Sequence, residues 1–213
     1  ISGTAEANSS VEVFIDGGSI GTTTADGSGN WSYDHTGTTL SDGSYTLTAE
    51  ATDTAGNTSL SSAGFALVVD SAAPSAPAVT AVSSDTNGAD GITSDNTLII
   101  SGTAEANSSV EVFIDGGSIG TTTADGSGNW SYDYTGTTLA DGSYTLTAEA
   151  TDTAGNTSLT SAGFALVVDS AAPSAPAVTA VSSDTNGADG ITSDNTLIIS
   201  GTAEANSSVE VFI

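Results

Sequence analysis

Not one lysine or arginine occurs among the 213 residues, against 26 aspartates and glutamates, so the formal net charge is −26. Nucleic-acid binding needs cationic side chains to neutralise phosphates, which excludes that class of function, and anionic membrane surfaces are disfavoured on the same ground. Cysteine is absent too, ruling out disulfides, zinc thiolate centres and cysteine nucleophiles. The single histidine, His35, has Tyr134 as its counterpart in a later copy of the same stretch, so it reads as a neutral strand position. Without a recurring histidine no Ser/His/Asp constellation can recur, and the chain is not expected to be an enzyme. No run approaches the roughly 20 apolar residues that cross a bilayer, so no membrane insertion is expected of this segment. Two Trp and five Phe can fill small cores, not one large one.

What the chain has instead is repetition. The stretch ISGTAEANSSVEVFI begins at Ile1 and Ile100 and again at Ile199, a constant spacing of 99 residues. Residues 1–114 laid over residues 100–213 differ at three places only: His35 against Tyr134, Ser41 against Ala140, Ser61 against Thr160. That period is too long for a solenoid turn and about the size of one folding domain. The expected domains are 1–70, lacking its first strands, 71–169, complete, and 170–213, first strands only. Both ends cut through a copy, so the residues read as a window on a longer chain; strand donation between chains is the other reading.

The complete copy opens with SAAPSAP, where Pro74 and Pro77 forbid helix and stiffen the segment into a short, semi-rigid linker. AVTAV follows as a first strand, then SSDTNGADGITSDN, too rich in Gly, Asp and Asn for regular structure. TLIISGTAE and SVEVFID alternate with Leu98, Ile100, Val110, Val112 and Ile114 on one face. Asp115, Gly116 and Gly117 turn the chain into SIGTTTA. DGSGN leads to WSYDYT, in which Trp130, Tyr132 and Tyr134 share a face. In SYTLTAEAT the residues Tyr144, Leu146, Ala148 and Ala150 point inward, and FALVVD closes the copy. Seven strands, turn signals every 8 to 14 residues and no helical period predict tandem seven-stranded antiparallel β-sandwiches joined by short Pro-containing linkers. Trp130 reads as core filling, with a sugar-stacking stripe as the alternative.

The letters DGSYTL at Asp141 to Leu146 resemble the tyrosine corner of immunoglobulin-type domains. Together with the linker, SGTAEAN, GNWSY, LADGSYTLTAEATDTAGN and DGITSDNT, the whole chain resembles the bacterial Ig-like repeats of giant Gram-negative, type I secreted (RTX-type) surface adhesins. The resemblance implies an extracellular, cell-surface location, many tandem copies and calcium near domain junctions. The total lack of basic residues and the near-identity of the copies depart from the usual pattern.

Carboxylates with no internal cation must spread into water, be screened by salt, or be neutralised by metal, and calcium is the hard ion suited to oxygen ligands. Alternating strand directions put Glu105, Asp125, Asp152 and Asn156 in loops at one end, facing the incoming linker behind Asp70. The loop carrying Asp85, Asn87, Asp90 and Asp95 falls at the other end, beside Asp169. The expected Ca²⁺ ligands at the first junction are Asp70, Glu105, Asp152 and Asn156, and their equivalents at the second are Asp169 and Glu204. Asp85, Asn87, Asp90 and Asp95 form a second candidate set, out of register with the EF-hand pattern. The plainer alternative for all of them is solvated turn residues and caps.

The expected function is a calcium-stiffened stalk, built of neighbouring repeats of the same chain, that projects a distal tip from a bacterial surface or lies in an extracellular filament. The alternative is a repeated weak binding module for glycans or for other copies in a biofilm, acting by avidity.

Overall fold

The computed structural model describes residues 1–83, 85, 90–182, 191–193 and 195–212. Strands β1 (Ser2–Thr4), β2 (Ser10–Ile15), β3 (Gly18–Thr24), β4 (Asn30–Ser32), β5 (Gly43–Thr52) and β6 (Phe65–Val69) make up the first module. The second holds β7 (Ala78–Val82), β8 (Ile92–Thr93), β9 (Ile99–Thr103), β10 (Ser109–Ile114), β11 (Gly117–Thr123), β12 (Asn129–Asp133), β13 (Gly142–Thr151) and β14 (Phe164–Val168). The third copy contributes β15 (Ala177–Val181) and β16 (Ile199–Thr202). No helix occurs among the described residues.

The second module is an all-β sandwich. One sheet runs β11-β10-β13-β14-β8 and the other β12-β9-β7. Alternation produces its core, because successive side chains on a strand point to opposite faces. Val110 and Val112 of β10, Leu146, Ala148 and Ala150 of β13, and Leu166 of β14 are wholly buried, as are Leu98, just before β9, and Ile100 of β9; Trp130 of β12 is 3% exposed. The threonines between the β13 core residues stay at least partly accessible. With Trp130 inside, the sugar-stacking reading of that residue falls.

Two local devices fix the register. Asp115 (φ 50°) and Gly116 (φ 79°) form the two-residue hairpin between β10 and β11, both in the left-handed region that a type I′ turn requires. The Asp115 carboxylate also accepts the Thr145 amide at 2.8 Å, tying the turn to β13. The Tyr144 hydroxyl donates to Ala140 O at 2.9 Å, and Tyr45 to Ser41 O at 2.8 Å, which is the tyrosine corner the sequence suggests.

The structure corrects two expectations. The Gly/Asp-rich loop is not wholly irregular: Ile92 and Thr93 form β8, which pairs in parallel with Val167 and Val168 of β14, adding an eighth strand. Thr93 is 1% exposed, so a β-branched pair inside the loop has found the open edge of the larger sheet. His35 lies beyond β4, which ends at Ser32, and not on the strand; its ring is tilted against Tyr33 with centroids 6.1 Å apart.

The first module has a four-stranded sheet, β3-β2-β5-β6, and a two-stranded one, β1-β4. Val11, Val13 and Ala25 form its buried centre, with Ile20, Trp31 and Tyr33 packed against them. β15 and β16 pair antiparallel in the third copy, with a register shift between Val178 and Ala180.

Candidate functional site

The chain divides into two compact units. The first comprises Ile1–Thr80, Ile100–Tyr132 and Thr145–Phe164, and the second Ala81–Ile99, Asp133–Tyr144 and Ala165–Ile213. Asp70, Glu105, Asp152 and Asn156 all lie in the first unit, although 86 residues separate Asp70 from Asn156.

Within that unit three of the four are joined. Asn156 Nδ2 donates to the main-chain oxygen of Asp70 at 3.1 Å and to Asp152 Oδ2 at 2.9 Å. Asp152 Oδ1 meanwhile accepts the amides of Ala154 at 2.8 Å and Asn156 at 2.9 Å, closing the turn after β13. The amide group of Asn156, a partial positive charge, thus sits where an oxygen from the strand end after β6 meets one from the turn after β13. Pro74 and Pro77 of the intervening linker are buried.

Glu105 does not join this set as a carboxylate. It is exposed, and its main-chain oxygen caps Ser108, whose amide and hydroxyl donate to it at 3.2 and 2.7 Å. Its loop is stitched to the loop of Asp125 by Ala104 N donating to Gly128 O at 2.9 Å. Among the described residues no three or more acidic or histidine side chains gather closely enough to hold a metal ion. The described donors are oxygens, the kind calcium takes, and main-chain carbonyls and water count toward its six to eight ligands.

In the second unit, Glu204 Oε2 accepts the amide of Ser174 at 3.0 Å, and Asp169 Oδ1 accepts that of Ala171 at 3.1 Å. The loop set is led by Asp85, whose Oδ2 accepts Gly91 N at 2.9 Å while its Oδ1 is buried with no hydrogen-bond partner among the described residues. A buried carboxylate oxygen left unpaired is costly, and a cation is one thing that satisfies it. Asp95 Oδ1 accepts the amide and hydroxyl of Thr97, each at 2.9 Å, and Asp90 Oδ1 accepts Ile92 N at 3.0 Å. Asn87 lies outside the described residues.

A common pattern runs through these positions. Asp70, Asp90, Asp95, Asp152 and Asp169 each accept the amide two residues on, so every one is an Asx turn. Sequence reasoning missed Asp42 and Asp141. Asp141 Oδ1 accepts the amide and hydroxyl of Ser170 at 3.0 and 2.7 Å, anchoring the linker's first residue to the tyrosine corner, and Asp42 holds Ser71 in the same way. The repeated pairing of DGSYTL with a later Asp-Ser is the only sequence trace of that anchor.

Hydrogen bonds to the ionised form hold several of these carboxyls below the ordinary value of 3.8. For Asp152 the Asn156 side chain is the largest cause, for Asp125 the Asn129 amide and for Asp141 the Ser170 amide. A carboxyl depressed in the folded state stabilises fully above its unfolded value, and that contribution is lost as pH falls through the folded one. At about 0.15 M salt, which screens the repulsion between spread carboxylates, the melting temperature should hold level from pH 7 to about 5 and drop below about 4. A melting temperature that climbs steadily through that acid range would show repulsion to be the larger effect.

No curated protein sequence matches the chain. Among solved structures, it is similar to a Ca²⁺-stabilized adhesin that helps an Antarctic bacterium reach out and bind ice: 30% identity over 87% of this chain and 46% of that one, TM-score 0.42. It is also similar to a 1.5-MDa bacterial ice-binding adhesin, at 27% identity over 78% of this chain and 55% of that one, TM-score 0.39. A third likeness is to the fibronectin(III)-like modules of Clostridium thermocellum CbhA, at 17% identity over 78% of this chain and 81% of that one, TM-score 0.43. The chain therefore spans about half the length of the two adhesin structures. A family model for the bacterial Ig-like domain matches residues 1–71 and again residues 72–170, and the chain belongs to that family.

Proposed function

We propose that this chain is an extender: tandem Ig-like modules that form part of the stalk of a bacterial surface adhesin or extracellular filament, stiffened by calcium where modules meet, holding a distal binding tip away from the cell. The observation that carries the reading is the bond from Asn156 to Asp70, which ties the strand end of one module to a turn of the next beside the Asp152 carboxylate. Asp70 and Asp152 would hold the ion, the Asn156 side chain turning over to present its amide oxygen where its NH2 group now bonds, with main-chain carbonyls and water completing the shell. Asp169 and Glu204 would be the equivalents at the following junction, and the Asp85 oxygen without a partner among the described residues supports a second cation place, with Asp90 and Asp95 as its further candidates.

Bound calcium supplies positive charge where the chain has none. With a net charge of −26 the modules repel one another, and neutralising the carboxylates at a junction removes the repulsion where it opposes alignment. Extracellular calcium modules bind at about 0.1 to 1 mM, so the stalk would be slack in a calcium-poor cytosol and rigid outside. A spacer needs length and uniformity, which suits copies that differ at three positions in 114. The role proposed is mechanical and not catalytic.

Small-angle scattering of the 213-residue chain tests this. Calcium should extend the maximum dimension and chelator should shorten it, with strand content unchanged by circular dichroism. Asp152→Asn keeps the Oδ1 acceptor of the turn and removes the charge, and should blunt the response. A scattering curve and melting temperature indifferent to chelator would sink the calcium assignment, leaving the family and fold as they stand.

A further inference from the structure

The second module bonds the chain that enters it to both of its sheets. β7 pairs with β9 in the smaller sheet, and β8 then pairs with β14 in the larger one. β14 is the last strand before the outgoing linker, so the entering segment is joined directly to the departing one. The pair is parallel, with Ile92 opposite Val167 and Thr93 opposite Val168, whereas β10 lies antiparallel to both β11 and β13. A short hairpin suffices for an antiparallel pair, but a parallel pair needs a crossover connection. Here that connection is the whole chain between β8 and β14.

The bonds gather at the point where the chain leaves. Val167 N donates to Gly91 O at 2.8 Å and Asp169 N to Thr93 O at 3.0 Å. Thr93 and Val168 are each 1% exposed, so the pair is sealed on its inner side. β8 is supported from its other flank, where Asp85 Oδ2 accepts Gly91 N and Asp85 bridges to Thr93. One residue beyond the strand end, the Ser170 amide and hydroxyl both donate to Asp141 Oδ1. Asp85, Gly91, Thr93, Asp141 and Val167 to Ser170 all belong to one compact unit.

Tension along the chain reaches β8 from its N-terminal end and leaves β14 from its C-terminal end. In a parallel pair those two pulls run in opposite directions along one axis, so the strands are sheared and their bonds load together. An antiparallel pair pulled from adjacent ends opens one bond at a time. We propose that β8 and β14 form a shear clamp, the element by which the second module resists being pulled open through its linkers. Ile92 and Thr93 are then the load-bearing residues of an otherwise Gly/Asp-rich loop, and Asp141 secures the exit behind them. Survival under force is governed by the unfolding rate and not by equilibrium stability, so the clamp need not show in a melting temperature. That such strength serves a stalk under tension rests on the extender reading; the clamp itself rests on the strand pairing and needs no metal.

The test is single-molecule force spectroscopy of the 213-residue chain in chelator. The chain has no cysteine, so introduced thiols are unique handles. Ala73→Cys with Ala172→Cys, both exposed linker positions, loads the second module along its linkers. Ser143→Cys with Ala172→Cys loads it across β13 and β14 instead; their counterparts β5 and β6 pair antiparallel with Ser44 opposite Val68, so this pull peels the strands. At the same force the linker-directed pull should unfold the module at least about tenfold more slowly, the factor that one hydrogen bond at the upper end of its net worth makes in a rate. Val167→Pro removes the donor to Gly91 O; amides alternate sides along a strand, so no bond to β13 is lost. It should speed linker-directed unfolding by about tenfold on the same basis and change the peeling pull far less. Should that variant not fold, the contrast between the two directions in the otherwise unmodified module decides. Equal lifetimes in both directions, or a Val167→Pro effect equal in both, would overturn the clamp, and because calcium is absent throughout, neither result touches the scattering test of the extender reading.

Discussion

Replacing Trp130 with alanine should cost the second module about 3 to 5 kcal/mol, the range for deleting a buried aromatic side chain. A domain of this size is stable by about 5 to 15 kcal/mol in all, so the loss is a large share of the whole. The expectation follows from position: the indole is 3% exposed, and its ring lies over Gly102, so close that a Cβ there would meet the ring at 2.5 Å. The other buried apolar residues of the second module, Leu98, Ile100, Val110, Val112, Leu146 and Leu166 among them, are all smaller than the indole and cannot fill the space it leaves. Trp31→Ala should cost clearly less, since Trp31 is half-buried. Trp130→Phe should be mild. Trp130 Nε1 is buried without an acceptor, and removing an unpaired donor recovers about 1 to 3 kcal/mol against the volume lost. Urea denaturation followed by far-ultraviolet circular dichroism ranks the three. Equal costs for Trp130→Ala and Trp31→Ala would contradict the enclosed core described for the second module.

The strands were legible because one physical rule generates them. Alternation with period two in SVEVFI and SYTLTAEAT needs only that one face be wet and the other dry, and both conditions are written locally. The Asp115–Gly116 turn was legible because few residue pairs accept positive φ at both positions. β8 was not legible, because two β-branched residues among Asp and Gly carry no period. It exists only because β14, some 70 residues later, offers an open edge. The same holds for His35, whose stretch alternates as a strand should while β4 stops three residues short of it.

That Asp70, Asp152 and Asn156 are neighbours was legible for a related reason. Counting strand directions places loops at the two ends of a sandwich, and Asp70, Asp152 and Asn156 do lie in one unit and do bond. The counting could not say where each carboxylate spends its lone pairs. Asx turns form within two residues and require no tertiary structure, so they take first use of the oxygens of Asp70, Asp90, Asp95, Asp152 and Asp169. An oxygen that accepts one amide still has a lone pair for another donor or a cation, so the turns leave the calcium proposal open to its test. Asp141 escaped notice because its partner, Ser170, lies 29 residues away, beyond any local pattern.

Gly102→Ala should prove nearly as damaging as the loss of Trp130, by about 3 kcal/mol, the upper end of what overpacking usually costs. The added carbon would stand 1.9 Å from the main-chain oxygen of Ala78 and 2.5 Å from the Trp130 ring, and neither can give way alone. Moving the oxygen means moving β7, which strips the edge of β9; moving the ring reopens the core. Because β7 continues from the linker that holds the buried Pro74 and Pro77, the damage should spread to that segment. Amide exchange should then rise first along Ala78–Val82. The matching change in the first module, Gly3→Ala, meets the Trp31 ring at 2.7 Å with no main-chain atom among its nearest neighbours, and a half-exposed ring can tilt away. Its cost should stay near 1 kcal/mol, the lower end of the same range. The contrast between the two glycines isolates what the crossing strand contributes, since sequence and ring contact are the same in both. If both variants lost stability equally, the close approach of β7 would not be what demands glycine at this position.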